Sequence, residues 1–407
     1  MQVYLVGGAV RDKLLGLPIQ EKDWVVVGAT PAALLAQGYK QVGKDFPVFL
    51  HPETHEEYAL ARTERKTGKG YYGFECYAAP EVTLEEDLSR RDITINAIAE
   101  SVTGEIIDPF QGQQDLNNRV LRHVSSAFTE DPVRILRVAR FAAKLAPFGF
   151  KVAEETLELM HSMVESGEVD MLVPERVWQE LARALGEADP AQFILVLRAC
   201  GALKALWPDL DRLWGIPQTE KYHPEIDTGI HVMMALQLAT RLTEDRITRF
   251  AVLCHDLGKG VTPKSELPSH KGHEESGVPL IEAFCKRYRV PKDYRDLAIL
   301  VSRFHLHCHR AFELRPATLL KTLERLDVFR QPERFEKFLI ACTADAKGRK
   351  DREEMDYPQP EHLKQAYLIA KGVDIKPWID AGLDGAALGA RLHQERVRAI
   401  EKLVRKV

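Results

Sequence analysis

The chain has 407 residues, 45% hydrophobic and 29% charged, with a net charge of −4. This is the composition of an ordinary globular protein with room for two or more domains, each with its own core. No apolar run approaches a membrane span and the opening becomes charged too soon for a signal peptide, so a membrane-spanning or secreted role is excluded and a cytoplasmic one expected. The six cysteines (Cys76, Cys200, Cys254, Cys285, Cys308 and Cys342) have no CxxC spacing and read as reduced core thiols, not as a disulfide or zinc framework.

Residues 1–125 read as mixed α/β, with short Val/Ile/Tyr-rich strands expected near 3–6, 24–27, 46–50 and 57–61. The first of these, Val3-Tyr4-Leu5-Val6, runs directly into Gly7-Gly8 and then into a helix opening at Ala9-Val10-Arg11-Asp12. Backbone amides at such a turn, clear of side chains, make a seat for phosphate, and Arg11 can add charged hydrogen bonds to the same anion. Glu21 and Asp23 precede Trp24-Val25-Val26-Val27. In an extended segment the period of two puts both carboxylates on one face, where they repel unless a cation such as Mg²⁺ holds them. Glu57, on the strand Glu57-Tyr58-Ala59-Leu60, is a candidate third carboxylate. A phosphate seat beside a metal-binding carboxylate pair is the outline of a phosphoryl- or nucleotidyl-transfer site.

Further on, Arg90-Arg91-Asp92-Ile93-Thr94-Ile95-Asn96 reads as a helix start crowded with polar groups. Arg91 can meet a triphosphate there, and Asp92 can accept from a ribose hydroxyl. From Glu130 the pattern turns helical, starting at Glu130-Asp131-Pro132 with acids and proline in the first turn. Arg134, Arg137 and Arg140 recur every three residues and stay near one helix face, with only Glu130 and Asp131 nearby to neutralise them. A second basic stretch, Arg62, Arg65, Lys66 and Lys69, includes Gly68 and Gly70 and reads as a loop. Local basic surface on a nearly neutral chain fits a protein that grips a polyanion and releases it. Helical patterns follow at 154–166, 175–187 and 190–206, then a Pro/Trp/Tyr-rich connection from Trp207 to Pro224.

These segments resemble the bacterial class II tRNA nucleotidyltransferases, the CCA-adding enzymes of the polymerase-β-like superfamily, in their form with a C-terminal HD domain. The match is carried by Gly7-Gly8-Ala9-Val10-Arg11-Asp12, Glu21-Lys22-Asp23, Arg90-Arg91-Asp92-x-Thr94-x-Asn96-Ala97, Asp108-Pro109…Gly112…Asp115-Leu116 and Glu130-Asp131-x-x-Arg134…Arg137…Arg140, in the family's order. Glu21 departs from the family's frequent Asp-x-Asp but still supplies oxygen. The resemblance implies an α+β fold: a polymerase-β-like nucleotidyltransferase head at 1–125, an all-α neck and body at 126–225, an all-α HD domain at 226–330 and a helical tail at 331–407. It implies that Gly8 and Arg11 hold the triphosphate, Glu21 and Asp23 the Mg²⁺, and that Arg91, Arg137 and Arg140 complete the nucleotide pocket. It also implies that Asp131 and Arg134 read the base. Chemistry supports that role, since cytosine and adenine share an amine beside a ring-nitrogen acceptor, which a carboxylate and a guanidinium match. The implied partners are tRNA, CTP and ATP, with no membrane partner; monomer and homodimer both remain open. A poly(A) polymerase of the same superfamily, or an RNA-binding phosphohydrolase with an inert head, are the alternatives.

In the second half, His231 and the pair His255-Asp256 have the spacing of the HD phosphohydrolase metal core, with His270 and His273 as further ligands. Imidazole donors suit Ni²⁺ or another transition metal. The family's closing aspartate is expected in the stretch Arg303–His309, where Leu306 stands in its place. The charged stretch 346–361 reads as an exposed loop and 386–406 as the last helix.

Overall fold

The computed structural model describes residues 1–42, 48–66, 74–220 and 225–404, in two compact units, Met1–Leu206 and Trp207–Val407. Lys69, Gly68 and Gly70 of the second basic stretch lie outside the described residues.

The first unit begins with β1 (Gln2–Val6), α1 (Gly8–Leu14), β2 (Asp23–Val27), α2 (Pro31–Ala36), β3 (Lys40–Val42), β4 (Val48–Leu50) and β5 (Glu57–Leu60). A two-stranded ribbon, β6 (Thr63–Lys66) and β7 (Phe74–Tyr77), follows, then α3 (Leu84–Ser89), β8 (Ala99–Ser101), β9 (Ile106–Ile107) and α4 (Gly112–Asn118). The main sheet runs in the order β3-β4-β5-β2-β1-β8-β9, and β2–β5 is its parallel pair. Consecutive valines of β2 supply both faces. Val25 packs with Val6, Leu88, Ala97 and Ala99, while Val26 packs with Leu34, Phe49 and Leu60. β8 and β9 escape the periodicity reading because two or three residues are too short to show a period of two; β8 is held by pairing with β1.

Helices α5 (Val133–Leu145), α6 (Glu154–Glu165), α7 (Pro174–Ala184), α8 (Pro190–Ala199) and α9 (Ala202–Leu206) complete the unit. The stretch 190–206 resolves into two helices that meet at Cys200 and Gly201. One expectation is reversed: Arg90 and Arg91 close a helix instead of opening one. Thr83 and Glu86 form a reciprocal capping box that starts α3, and Arg90 is its C-cap. Both arginines then fold back onto the buried Asp87, at 2.7 and 3.2 Å.

The second unit is built from α10 (Pro208–Asp211), α11 (Thr228–Leu242), α12 (Arg246–Cys254), α13 (His273–Arg287), α14 (Lys292–His309), α15 (Pro316–Arg325), α16 (Pro332–Lys347), α17 (Gln359–Lys371), α18 (Lys376–Asp380) and α19 (Gly385–Val404). His231 stands in the first turn of α11, which Asp227 caps. His255 and Asp256 follow α12, at the junction with the short turn Leu257–Val261. Gly258 in that turn passes so close to α13 that a Cβ would stand 2.0 Å from the His273 carbonyl oxygen, a position only glycine fits.

Candidate active site and HD centre

In the first unit, β1 delivers the chain through Gly7 into α1. Gly7 has a φ of 71°, and a Cβ there would come within 3.0 Å of Arg91 Nη1, so the turn requires glycine. Beside it opens a cleft of about 560 Å³. Gly8, Arg11, Glu21, Asp23, Arg91, Asp131, Arg134, Arg137 and Arg140 all line it, together with Arg62, Arg90, Lys144 and Arg176. Nine cationic side chains face five carboxylates, an excess that fits a polyphosphate.

The cleft is wired before any ligand arrives. Arg11, 2% exposed, donates to Asp12 Oδ1 at 2.8 Å and to Asn96 Oδ1 at 2.6 Å. Asn96 donates to Asp92 Oδ1 at 3.1 Å, and Arg137 Nε donates to Asp92 Oδ2 at 2.7 Å. Burial pushes the Asp92 carboxyl upward, but the Arg137 charge and hydrogen bonds from Asn96, Arg137 and the Ile93 amide outweigh it and hold it at about 2. Asp92 therefore organises the floor in the folded apoprotein. The Phe141 ring lies under three guanidinium groups, with Arg140 at 4.8, Arg11 at 5.2 and Arg137 at 5.7 Å from its centre.

Asp23 opens β2 and stands opposite the exposed Glu57 in the β2–β5 register. Its carboxyl is shifted up from the ordinary value, first by desolvation in the cleft; Arg91 opposes that, Glu21 adds to it and Arg137 opposes it. A carboxylate raised by a like-charged neighbour gains from a shared cation, and an oxygen-only donor pair fits a hard divalent ion. Glu57 does not line the cleft.

The acids that meet the α5 arginines are not its sequence neighbours. Arg137 is held by Asp92, Arg140 by Glu180 of α7 at 2.7 Å, and Arg134 donates to the Ala127 carbonyl at 2.5 Å. Asp131 accepts from Arg176 through both oxygens, at 3.2 and 2.8 Å, and from the Val133 amide. Around this cleft, Arg176 and Glu180, one turn apart on α7, are residues that sequence reasoning missed; their signal was a shared helix face. Asp108 and Asp115 of the family motif serve structure: Asp108 caps α4 through the Gly112 and Gln113 amides, and Asp115 accepts from Thr94 at 2.7 Å.

In the second unit the HD residues converge, and the missing carboxylate is found. It is Asp345, near the end of α16, not a residue of 303–309. Its Oδ1 lies 3.1 Å from His231 Nε2 and 3.7 Å from His255 Nε2, and its Oδ2 accepts from His309 at 2.6 Å. Leu306 faces no such role; the helix bearing the aspartate comes later in the chain than expected. Asp256 Oδ2 is 3.2 Å from His255 Nε2 and 3.9 Å from His231 Nε2. Burial alone would neutralise both aspartates. Before a cation binds, the histidine charges around them prevail, with Lys259 aiding Asp256, and keep both carboxyls well below the carboxylate range; a bound cation would replace those protons. His255 Nε2 is buried without a hydrogen bond among the described residues, as a metal-directed donor would be. Of the further ligands expected, His273 joins the cluster and His270 does not: the His270 ring is spent on Thr262 at 2.8 Å and the Pro217 carbonyl at 2.9 Å.

A carboxylate-bearing sheet with an arginine-lined cleft defines a nucleotidyltransferase head, and the buried His/Asp core defines an HD domain. Matching family descriptions agree: "Poly A polymerase head domain" over residues 3–122, "Probable RNA and SrmB- binding site of polymerase A" over 149–213 and "HD domain" over 228–331. A "Multifunctional CCA protein" of Thioalkalivibrio sulfidiphilus is 61% identical over 403 residues, 99% of this chain and 98% of that one. The chain belongs to the family of multifunctional CCA proteins. It shares its fold with the Thermotoga maritima CCA-adding enzyme complexed with tRNA (TM-score 0.64, 19% identity, 98% of this chain and 87% of that one). The Bacillus stearothermophilus CCA-adding enzyme in complex with CTP is similar to the same degree (TM-score 0.64, 22% identity, 98% and 88%). Divalent-metal dependence follows for both halves. No helix among the described residues is long and apolar enough to cross a membrane.

Proposed function

We propose that this chain adds C, C and A in turn to the 3′ end of tRNA from CTP and ATP, releasing pyrophosphate, and that its HD domain hydrolyses phosphate esters. The observation that carries the first reading is the convergence of all nine expected nucleotide-site residues, from the head and from α5, on one cleft. The Gly8 backbone and Arg11 receive the triphosphate, with Arg91, Arg137 and Arg140 around it. Glu21 and Asp23 hold Mg²⁺, which supplies charge neutralisation at the phosphates. The tRNA 3′-oxygen attacks the α-phosphorus in line, the bond to the bridging oxygen breaks, and pyrophosphate leaves into the arginine-lined cleft.

Asp131 and Arg134 read the base. The edge shared by C and A presents an amine to the Asp131 carboxylate and a ring nitrogen to Arg134. In the nucleotide-free state Asp131 is engaged by Arg176 and Arg134 by the Ala127 carbonyl, so a correct base takes over hydrogen-bonding capacity that these groups already use. Uracil and guanine cannot, and would leave these groups unmatched.

The decisive test is a tRNA lacking its 3′ terminus, given CTP and ATP separately and together. Two C additions with CTP alone, completed by one A when ATP is added, are expected. A growing A tail from ATP alone would support the poly(A) reading, which family membership does not favour. An inert head is opposed by the intact carboxylate pair and arginines.

In the HD domain His231, His255 and Asp345, whose ligand atoms cluster, hold one ion with Asp256 Oδ2 beside them, and Ni²⁺ or another transition metal is preferred because imidazole supplies half of these donors. Such an ion lowers the pKa of water and polarises phosphate. The substrate class is 2′,3′-cyclic phosphates, 2′-phosphates and simple phosphate esters, which can end a damaged RNA. The five described cysteines are free, buried thiols, consistent with the cytoplasm where tRNA is found.

A further inference from the structure

We infer that Arg349 binds the substrate phosphate at the HD centre and, through its forked guanidinium, makes that centre prefer terminal 2′-phosphates to 2′,3′-cyclic phosphates. This rests on the hydrolytic reading of the HD domain given above.

Arg349 lies in the charged stretch that follows Asp345. Helix α16 ends at Lys347 with Gly348 as its C-cap, and the chain turns there against α11. The approach is close: a Cβ on Gly348 would stand 2.4 Å from the Ala235 Cα, so only glycine fits and the next residue is firmly placed. Arg349 folds back and sets its Nη2 3.2 Å from Asp345 Oδ1. The Lys350 amide donates to Glu225 Oε2 at 3.4 Å, and Glu225 Oε1 lies 3.0 Å from His231 Nδ1. Two consecutive residues are thereby pinned to the two carboxylates that flank the His231 ring. The Arg349 side chain is 12% exposed and that of Asp345 3%, while Lys350 is at the surface. The guanidinium stands between the buried centre and solvent.

Asp345 does not need this cation. Its Oδ2 already takes His309, and its Oδ1 faces His231 and His255. A metal ion held there adds further positive charge, which repels a guanidinium so near unless an anion comes between them. Phosphate is such an anion, and the planar fork of arginine matches two of its oxygens at once. Lys259, another buried cation beside the centre, is occupied by Asp256 Oδ2 and Gln218 Oε1, at 2.6 Å each.

The fork separates the substrates. A terminal 2′-phosphate has three non-bridging oxygens, enough for one on the ion and two on the fork. A 2′,3′-cyclic phosphate has two, so that one on the ion leaves the arginine a single contact. In either hydrolysis the water oxygen bonds to phosphorus, a bond from phosphorus to a ribose oxygen breaks, and that oxygen takes a proton from the water.

The test compares the full-length protein with Arg349→Ala and Arg349→Lys, each reloaded with Ni²⁺, on adenosine 2′-phosphate and adenosine 2′,3′-cyclic phosphate. In Arg349→Ala, KM should rise on the order of 10²-fold for the 2′-phosphate and about 10-fold for the cyclic one, a charged hydrogen bond being worth about 10-fold or more. Arg349→Lys keeps the charge without the fork. It should restore the cyclic substrate and leave the 2′-phosphate about 10-fold weaker than in the parent. Binding alone is read on Co²⁺-loaded protein, whose visible absorption inorganic phosphate perturbs. Half-saturation should need on the order of 10-fold more phosphate in Arg349→Ala. Ni²⁺ affinity in Arg349→Lys should match the parent's. Equal losses on the two substrates, a fall in kcat with KM unchanged, or weakened Ni²⁺ binding in Arg349→Lys would overturn the proposal and leave Arg349 a structural partner of Asp345. No hydrolysis by the parent protein would overturn the reading beneath it as well.

Discussion

At the scale of single residues, the head separates groups that do chemistry from groups that hold them. Replacing Asp23 with alanine should lower CMP and AMP incorporation on the order of 10³-fold with Mg²⁺ present, the loss of several kcal/mol of barrier stabilisation. Hydrolysis by the HD domain should be unaffected, and both are read on the same preparation. Asp131→Ala should relax discrimination against UTP and GTP by about 10- to 100-fold, the worth of one charged acceptor that a wrong base leaves unmatched. Arg176→Ala should act on the same property in smaller measure, because Asp131 loses the partner that holds its two oxygens in place. Single-nucleotide competition assays distinguish the two. Asp92 makes a pH-dependent contribution. Its carboxyl sits at about 2 in the folded chain against an ordinary value of 3.8. A depressed folded value stabilises above the unfolded one, so about 2 kcal/mol should be present at neutral pH and lost as pH falls from about 4 through 2. Unfolding of the parent and Asp92→Asn across that window should show the difference between them shrinking.

At the scale of elements, α5 shows what local patterning can and cannot tell. Its triplet spacing places Arg134, Arg137 and Arg140 along one side, and they do line the cleft together. The acids that neutralise them come from residue 92 and from α7, some forty positions away in either direction, and no helical period reports such partners. The reversal at Arg90-Arg91 has a similar source: charged residues beside a helix end look alike at start and finish until the capping residues are identified. In the HD domain the tight crossing of the turn Leu257–Val261 over α13 sets the position of both His255-Asp256 and His273. Gly258→Ala should therefore cost about 1–3 kcal/mol in unfolding free energy by overpacking and weaken Ni²⁺ binding at the same time. Calorimetric unfolding and metal titration would read the two effects; an unchanged midpoint would mean the crossing has slack.

At the scale of the whole molecule, two compact units carry two donor chemistries, oxygen in one and largely nitrogen in the other. Chelation followed by Mg²⁺ alone should restore nucleotide addition while leaving ester hydrolysis weak, and Ni²⁺ should restore hydrolysis. His255→Ala should abolish hydrolysis and leave CCA addition largely intact. A single metal preference for both activities would argue against separate centres.

The sequence by itself determined the family, the fold class and most of the head's site, because those residues lie in short contiguous motifs. Gly7-Gly8 through Asp12, Glu21 and Asp23, Arg91, and Asp131 to Arg140 each carry their meaning within a strand, a turn or one helix. The tertiary structure alone decided the partners. It seated Arg176 on Asp131 and Glu180 on Arg140, spent His270 on a carbonyl and a hydroxyl, and brought Asp345 to His231 across 114 positions. Local spacing encodes which face of an element a side chain occupies. Which faces meet is decided by the packing of many apolar contacts spread along the chain, and a buried charge is satisfied only where that packing brings it an opposite one.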